Sequence, residues 1–422
     1  MKNFTKKITI ALFTLLSVTS CVGINNNYPE SEQNVSVHST NSRRDITAIV
    51  KNANAEYEKR NPELIKLKYK YMSESAFAFY RATAYIFYND LASEKKISGI
   101  NIPLQGDLHL ENMGTYQTGT KKISYDLNDF DDAFTGPYTW DLIRCTVSIH
   151  LAAAEAGMDK DTRMKLVEDF LEGYNNALNY LQKNPALLSQ PLENKFLSKH
   201  SADIVGKVSG YPYGQFLSEI TANGKLIRNE KLKPVSKEIA DSVIKGMTAY
   251  SSRNKTAFKV KDIAGYVSGK GSLGRYRYAV LVEGASNRSD DDIVLDIKEG
   301  VQPSIASISG SLAGNQAERI IKSTKYFVPS SEPYLGTINI GSNPFFVRQL
   351  LPNQKVELGK LNKKSEFKEH LDTVSIIVAR AHARSGKTLQ IINDLPQYLD
   401  KIQNFSQDYY KQVNKDFDEF KN

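Results

Sequence analysis

The chain has 422 residues, 41% of them hydrophobic and 24% charged, and the roughly 375 residues beyond its N-terminal region suffice for one large domain or two smaller ones. Its formal net charge of +8, to which Lys2, Lys6 and Lys7 contribute, is too small and too evenly spread to favour a nucleic acid partner. Only two cysteines occur, and the six histidines show no zinc-site spacing, which excludes a disulfide framework and argues against structural zinc.

The N-terminus has the pattern of an export signal, with lysines ahead of an uncharged apolar run from Ile8 to Val18. The segment Val18-Thr19-Ser20-Cys21 also fits a bacterial lipoprotein cleavage site, in which Cys21 receives the lipid. A transmembrane anchor is the alternative, but the run is shorter than the about 20 residues that span a bilayer. We predict a lipoprotein signal peptide at 1–20, a flexible tether at 21–44, and an exported envelope protein that contacts the membrane through Cys21.

The elements that follow are helical, then β-rich, then helical again. Residues from about Asp45 to Ser93 have helical periodicity, and "GPYTWDLIRCTVSIHLAAAEAG" predicts a turn and a buried helix. Further amphipathic helices are predicted at 161–182 and 234–252. From about Phe258 three strands, a helix from about 312 to 326 and two more strands are predicted, and helices resume at Ser365. We therefore divide the chain into sections 45–257, 258–355 and 356–422, with Cys145 as a buried apolar residue rather than a reactive thiol.

Polar residues are concentrated in "GDLHLENMG", residues 106–114, and in "DLNDFDD", which follows it. Mg²⁺ prefers a few carboxylate or amide oxygens, and a separate Asp can accept the proton of an attacking hydroxyl. The alternative is a polar turn with a solvated acidic surface. Strand-like apolar residues precede each cluster, which favours a functional role for Asp107, Asn112 and Asp129. For the remaining acidic residues the two interpretations are equally favoured: Asp126, Asp131 and Asp132.

These two segments resemble the catalytic and metal-binding motifs of aminoglycoside phosphotransferases and related small-molecule kinases, GDxHxxN followed by a D-[WF]-[ED]-[DE]-A stretch. The resemblance implies that Asp107 is the catalytic base and that Asn112 and Asp129 hold Mg²⁺. It also implies that His109 supports the loop backbone. Asp141 corresponds to a structural anchor at a helix start, or is only an acidic residue favoured by the helix dipole.

A closer resemblance, over nearly the whole mature chain, is to an uncharacterised bacterial family of unknown function, number 2252. It implies a fold relationship to kinases and no established reaction. Ala82 stands where that family has Gly. The segments on which this resemblance is based are "SESAFAFYRATA", "GDLHLEN", "DLNDFDDAFTGPYTWDLIR", "SGKGSLGRYRYAVLV", "IKEG", "FFVRQL" and "ARAHARSG".

A GxGxxG pattern formed by Gly269, Gly271 and Gly274 lies between two strand-like runs. A dinucleotide-binding fold would place a helix after these glycines, whereas a kinase-type glycine loop is followed by a strand and then by a lysine on the next strand. Lys298 occupies that position, with Glu318 or Glu299 as a conceivable partner. The alternative is a Gly-rich β-turn with an exposed lysine.

In ordinary kinases the β-rich lobe precedes the catalytic loop, whereas here it follows. The helix "ARAHARSG" is similar to a helix that precedes GDxHxxN in small-molecule kinases. We therefore expect an α+β, protein-kinase-like two-lobe fold, circularly permuted, with a helix-rich catalytic lobe and a smaller antiparallel β-rich nucleotide-binding lobe. The competing interpretation gives that helix's role to residues 77–91.

"HARSGKT" is not a P-loop, because Ala381 stands in place of the first glycine. Several basic residues either line a phosphate site or serve the structure alone. They are Arg81, Arg144, Arg348, Arg380, Arg384 and Lys387.

The leading hypothesis is a kinase-like phosphotransferase that uses Mg²⁺ and ATP or another nucleotide to phosphorylate a hydroxyl of a small molecule or protein. Export places the protein where ATP is scarce, so another phosphoryl donor is an open alternative. The second hypothesis is a catalytically inactive kinase-like binding module at the cell surface. A two-metal phosphatase or phosphodiesterase is less favoured, because such sites usually recruit several histidines.

Overall fold

The computed structural model describes residues 44–92, 94, 97–254, 258–286, 288–328, 330 and 332–422. The chain divides into Met1–Arg44 and a compact unit, Asp45–Asn422, to which every element below belongs. The predicted signal peptide, Cys21 and nearly all of the tether lie outside the described residues. Helices and antiparallel sheets together confirm the predicted α+β class. None of the described helices combines the length and apolar character needed to cross a membrane.

Four helices form the section that the periodicity predicts to be helical. The first three each begin after a residue whose side chain accepts a hydrogen bond from a first-turn N–H, namely Asp45, Asn61 and Ser75. Pro62 stands at the first position of its helix, where no backbone N–H is needed. These helices are α1 (Ile46–Arg60), α2 (Pro62–Met72), α3 (Ala76–Ala82) and α4 (Ala84–Ala92).

Two small antiparallel sheets carry the polar motifs. The 105–112 loop connects the first strand to the second, and the 128–133 loop connects the third to the fourth. Leu104 lies opposite Phe134, and Met113 lies opposite Leu127, so both loops leave their strands at the same end. The pairing therefore places the two loops side by side. The strands are β1 (Asn101–Leu104) with β4 (Phe134–Pro137), and β2 (Met113–Gln117) with β3 (Ile123–Leu127).

The largest core lies among four long helices. The first of them is buried along nearly its whole length, and Cys145 on it is fully buried, as expected for a small apolar residue. The four helices are α5 (Tyr138–Glu155), α6 (Lys160–Lys183), α12 (Lys364–Ala383) and α14 (Leu399–Lys421). Helix α6 packs against α12, and α5 packs against α14.

A six-stranded antiparallel sheet forms the β-rich section, in the order β11-β12-β10-β9-β8-β7. Side chains alternate between its faces, so Phe345 and Val347 join the core that includes Met247 of α9, whereas Phe346 packs on α11. The sheet is therefore covered by a helix on each face. Its elements are β7 (Leu232–Lys233), α9 (Lys237–Asn254), β8 (Val260–Tyr266), β9 (Arg277–Val282), β10 (Ile293–Glu299), α11 (Gln316–Phe327), β11 (Gly336–Ile340) and β12 (Asn343–Gln349).

Shorter elements connect these layers. Leu217 and Leu226, from a helix and a small hairpin, pack on Leu281 of the large sheet. The elements are α7 (Lys199–Ser209), α8 (Tyr213–Ile220), β5 (Thr221–Ala222), β6 (Lys225–Leu226), α10 (Ala306–Ser309) and α13 (Thr388–Asp394), with 3₁₀ turns at Pro185–Ser189, Asn194–Phe196, Leu358–Lys360 and Leu395–Gln397.

Candidate functional site

A cleft of about 290 Å³ brings the glycine loop 267–276, between β8 and β9, together with the 105–112 and 128–133 loops, which lie more than 130 residues earlier in the sequence. Six of the eight predicted site residues line it. The other two, Gly274 and Lys298, line a small adjoining space that shares Ser272, Leu273 and Arg275 with the cleft. The six are Asp107, His109, Asn112, Asp129, Gly269 and Gly271.

Close contact between the two loops requires a glycine at the start of the GDLHLEN motif. Gly106 has a positive φ of 83°, and a Cβ atom there would lie 1.9 Å from the backbone oxygen of Asp132. The Gln105 side-chain amide also donates a hydrogen bond to the backbone oxygen of Asp129. Any side chain at position 106 would therefore separate the GDLHLEN motif from the acidic one.

Asp141, in the first turn of α5, anchors the 105–112 loop. Its buried carboxylate accepts hydrogen bonds from the backbone N–H groups of Gln105 at 2.8 Å and Gly106 at 3.0 Å. Nε2 of His382 lies 3.5 Å from the same carboxylate, and Nδ1 of His382 is 2.7 Å from the Tyr174 hydroxyl. Asp141 thus fixes the loop backbone as well as placing a negative charge near the helix start.

Asp107 is held from one side and open from the other. Arg144 Nε donates to Asp107 Oδ1 at 2.6 Å, and the arginine side chain is fully buried. Burial raises the pKa of the Asp107 carboxyl to about 7, an effect that Asp132 and Asp129 reinforce and that Arg144 opposes. A carboxyl with this pKa gains and loses its proton near neutral pH.

His109 is a neutral residue that shapes the loop. Its Nδ1 accepts a hydrogen bond from the Glu111 N–H at 3.1 Å, which leaves the proton on Nε2, 3.6 Å from Asp107 Oδ2. Burial, together with Arg81 and Arg144, lowers the pKa of His109 far below its usual value. The Asn112 N–H closes the turn on the His109 carbonyl at 2.9 Å.

Asn112 and Asp129 present the oxygen atoms that a hard cation prefers. The Asn112 amide nitrogen donates to the backbone oxygen of Asp107 at 2.8 Å, which leaves Oδ1 as its free coordinating atom. Asp129 is exposed in the cleft. In the part of the chain that the structure describes, no group of three or more His, Cys, Asp or Glu residues is placed to hold a metal. An amide oxygen and a carboxylate are donors that suit a cation such as Mg²⁺, which keeps most of its positions for water and phosphate.

Lys298, the predicted nucleotide-binding lysine, reaches the acidic loop. Its ammonium forms an ion pair with the Asp131 carboxylate, and both side chains are buried. Arg275 donates to the same carboxylate at 2.6 Å. Although burial favours protonation, these two cations lower the pKa of Asp131 to about 2. The alternative of an exposed strand lysine is wrong, because Lys298 is 5% exposed.

The partner of Lys298 is the main residue that the sequence left undecided. Glu299 pairs instead with Arg60 at 3.0 Å, and Glu318 is exposed at the start of α11. The sequence does not predict Asp131 as the partner, and for Asp126, Asp131 and Asp132 it leaves a functional and a structural role equally favoured. A loop conformation decides among them, and the residue types alone carry no signal for it.

The three glycines of the glycine loop have different roles. Gly269 has a φ of 82°, and Gly271 faces open space, since a Cβ atom added there would lie 3.9 Å from its nearest neighbour, the Arg81 backbone oxygen. At Gly274 a Cβ would meet Ile65 and Tyr57 at 2.6 and 2.8 Å. Gly274 therefore permits close packing of the loop on α1 and α2, and only the first two glycines face the cleft.

Most of the undecided basic residues have structural partners. Arg380 donates to Asp126 at 3.0 Å, and the side chains of Arg384 and Lys387 donate to backbone carbonyls. Arg348 donates to Asp296 at 2.9 Å. None of these four lines the cleft. Arg144 contacts Asp107, and Arg81 lines the cleft while pairing with Glu111 at 2.7 Å.

The chain belongs to the family DUF2252, described as an uncharacterized protein conserved in bacteria, which matches residues 60–422. The match covers all the elements of the cleft except most of α1. No curated protein and no solved structure matches the chain.

Proposed function

We propose that the protein is a kinase-like phosphotransferase that transfers phosphate from a nucleotide to a hydroxyl group, with Mg²⁺ as its metal, on an exported lipoprotein. The observation that carries the proposal is the buried ion pair between Lys298 and Asp131. It joins the lysine strand that follows the glycine loop to the acidic loop beside the GDLHLEN motif. Kinases combine these parts in one cleft to hold phosphates next to a catalytic carboxylate.

Asp107 has the properties of the general base. Arg144 holds Oδ1, and Oδ2 has only long contacts, 3.5 Å to the Asn112 amide nitrogen and 3.6 Å to His109 Nε2, so it can accept a hydrogen bond from an acceptor hydroxyl. Its raised pKa of about 7 makes the carboxylate a stronger base than an exposed Asp. The proton of the hydroxyl would pass to Oδ2 as the hydroxyl oxygen bonds to the terminal phosphorus atom, while the P–O bond to the remainder of the nucleotide breaks and the nucleotide leaves with one phosphate fewer. His109 would act by positioning Asp107 and not as a proton acceptor.

Asn112 Oδ1 and the Asp129 carboxylate would hold the Mg²⁺ ion. When bound, that ion would neutralise part of the charge on the transferring phosphate. Asn112 also holds the Asp107 backbone, because its side-chain amide nitrogen donates a hydrogen bond to the Asp107 carbonyl oxygen. The same side chain would thus link the position of the base to that of the metal.

Lys298 and the glycine loop would bind the donor phosphates. Lys298 and Arg275 share the Asp131 carboxylate. A phosphate entering the cleft would compete with Asp131 for these cations. Gly269 and Gly271 carry no side chain, so backbone amides of their loop can approach an anion closely.

We also propose that the fold is a circularly permuted kinase-like arrangement. Two contacts support this interpretation. Asp141 holds the backbone of Gln105 and Gly106, and His382 at the end of α12 contacts Asp141. Asp141 therefore links the helix "ARAHARSG" to the GDLHLEN loop, although the helix follows the loop in sequence. Joining the chain end to its beginning would restore the usual kinase order.

A second candidate function is a binding module without turnover. The ion pairs of Arg144 with Asp107 and of Lys298 with Asp131 favour it, because both carboxylates have cationic partners within the protein. Retention of Asp107 favours the enzyme, since binding alone needs no proton acceptor. Export and the lipid on Cys21 would then place either form at the cell envelope.

The test is a thermal-shift panel of nucleotides with and without Mg²⁺, run beside release of the γ-phosphate to water and to a set of hydroxyl acceptors. Parent protein, Asp107→Asn and the control Asp290→Asn, on the exposed β9–β10 connection, are compared. If the protein is an enzyme, turnover should fall at least about 100-fold in Asp107→Asn, while nucleotides still raise the melting temperature of this variant. Stabilisation of the parent without any turnover supports the binding module, and no stabilisation by any nucleotide contradicts both.

A further inference from the structure

Lys68 on α2 is a buried cation that the mechanism above does not use. The residue is 7% exposed, and its Nζ donates to Oδ1 of Asn54 on α1 at 2.8 Å. The Asn54 amide nitrogen donates to the Val50 carbonyl, which directs Oδ1 toward the lysine. Among the described residues, no carboxylate forms an ion pair with Lys68.

A buried ammonium without an opposite charge is unfavourable in a folded protein. Burial and, to a smaller extent, Arg275 lower the pKa of Lys68 to about 7, and Asp132 only partly opposes them. Packing does not require a charge here, because Ile65 and Met72 fill the other buried positions of the same helix face. An incoming anion would remove the electrostatic cost.

The position of Lys68 indicates which anion it meets. It lines the same cleft as Asp107 and the glycine-loop residues Gly271 and Arg275. Its electrostatic neighbours, Arg275 and Asp132, belong to the region where Lys298 meets the acidic loop. Of the three N–H groups of an ammonium, one is taken by Asn54, so two remain for ligand oxygens.

We propose that Lys68 binds a phosphate group of a linear polyphosphate chain in the cleft, as part of either a nucleoside triphosphate or an inorganic polyphosphate. The inference rests on the proposed phosphate-handling cleft and adds a second phosphate-binding lysine, contributed by the N-terminal helices. It also bears on the identity of the phosphoryl donor. A site that binds the polyphosphate chain without contacting a nucleobase would suit an exported protein.

The test is calorimetric titration of the full chain with Mg-ATP and, separately, with inorganic tripolyphosphate plus Mg²⁺. Lys68→Met is compared with Lys66→Met, which removes an exposed lysine from the same helix. We expect Lys68→Met to weaken the binding of whichever probe the parent binds at least about tenfold. The melting temperature of this variant should equal or exceed that of the parent. We expect Lys66→Met to bind like the parent. ATP binding alone identifies a nucleotide site, and equal binding of both probes identifies a polyphosphate site.

A second variant separates the charge from the hydrogen bond. Asn54→Ala removes the partner of Lys68 but keeps the ammonium, so it is expected to weaken binding less than Lys68→Met does. If Lys68→Met binds like the parent and melts lower, Lys68 is a structural residue and the inference is overturned. If the parent binds neither probe, the inference and the proposed function both fail. If binding depends on Lys68 but no phosphate is transferred, the inference stands and the transferase proposal fails.

Discussion

Arg144 donates from Nε to Oδ1 of Asp107 at 2.6 Å, and this pair couples a fully buried helix position to an atom of the cleft. Burial and the arginine act on the carboxyl in opposite directions, and burial prevails, so the pKa of Asp107 is about 7. Removing the arginine would leave only the groups that raise this pKa. The pair therefore sets the pH range in which the Asp107 carboxyl ionises.

The first prediction concerns the pH dependence of turnover. A general base must be deprotonated, so kcat/KM should rise as the pH increases through about 7 and level off above it. Arg144→Met removes the cation that lowers the pKa of Asp107, so this rise should move to higher pH. Rate profiles of parent, Arg144→Met and the exposed control Arg288→Met decide it. A folded Arg144→Met protein whose profile coincides with that of the parent would show that Asp107 is not the titrating group.

The second prediction concerns stability. The folded pKa of Asp107, about 7, lies above its ordinary value of 3.8, so the folded state binds this proton more tightly than the unfolded state does. Ionisation of Asp107 therefore costs stability as the pH rises between about 4 and 7. Asp107→Asn lacks this cost, so its free energy of unfolding should improve relative to the parent across that window. Urea unfolding at several pH values measures the difference, and a difference independent of pH would contradict the assigned pKa.

The third prediction is a double-mutant cycle on Lys298 and Asp131. Lys298→Met leaves Asp131 buried with Arg275 as its remaining partner, and we expect a loss of about 3 kcal/mol in the free energy of unfolding. Adding Asp131→Asn should recover part of this loss, which gives a coupling energy above about 1 kcal/mol. Additive losses would show that the ion pair contributes nothing. Because the pKa of Asp131 is about 2, the coupling should be full at neutral pH and vanish only in strong acid.

The fourth prediction concerns the anchor of the 105–112 loop. Asp141→Ala leaves the N–H groups of Gln105 and Gly106 without their acceptor, at a cost of about 1–3 kcal/mol for each buried group. Turnover should fall with it, because Asp107 follows these residues directly. Asp141→Asn keeps one acceptor oxygen and should restore part of the stability and part of the turnover. Loss of stability without any change in kcat would mean that the loop position is not needed for the reaction.

The fifth prediction compares two glycines of the same loop. Gly274→Ala introduces a Cβ 2.6 Å from Ile65 at a φ of 95°, so it should destabilise the fold by about 1–3 kcal/mol. Gly271→Ala meets nothing closer than 3.9 Å and should leave the melting temperature unchanged while weakening nucleotide binding. The reverse pattern would show that Gly274, and not Gly271, faces the ligand.

Sequence periodicity predicted the long elements well, because each buries one face and so repeats its apolar residues. β12, with Phe345 and Val347 on one face, is an example, and the helices at 160–183 and 364–383 are others. The short strands β2 and β4 were not predicted. They contain Gly114 and Gly136, and they exist because neighbouring strands pair with them rather than because of their own propensity.

The proximity of candidate residues was predictable where they are close in sequence. Asp107 and Asn112 lie five residues apart in one turn, and the structure places the Asn112 side chain against the Asp107 backbone. The choice of Asp131 as partner of Lys298 depends on a loop conformation, and the burial of Arg144 against Asp107 depends on how α5 docks. Arg380 occupies a helix end that would also suit a phosphate site, and only its contact with Asp126 shows that it is structural.

The most direct test of the central claim is the affinity for Mg-ATP of the parent protein, Lys298→Met and Asp129→Asn, measured by titration calorimetry. We predict one site per chain that requires Mg²⁺ and that weakens at least about tenfold in either variant, with Asp290→Asn unchanged. Equal affinity in all four proteins, or no binding by a correctly folded parent, would contradict the claim that the two distant segments form one nucleotide site.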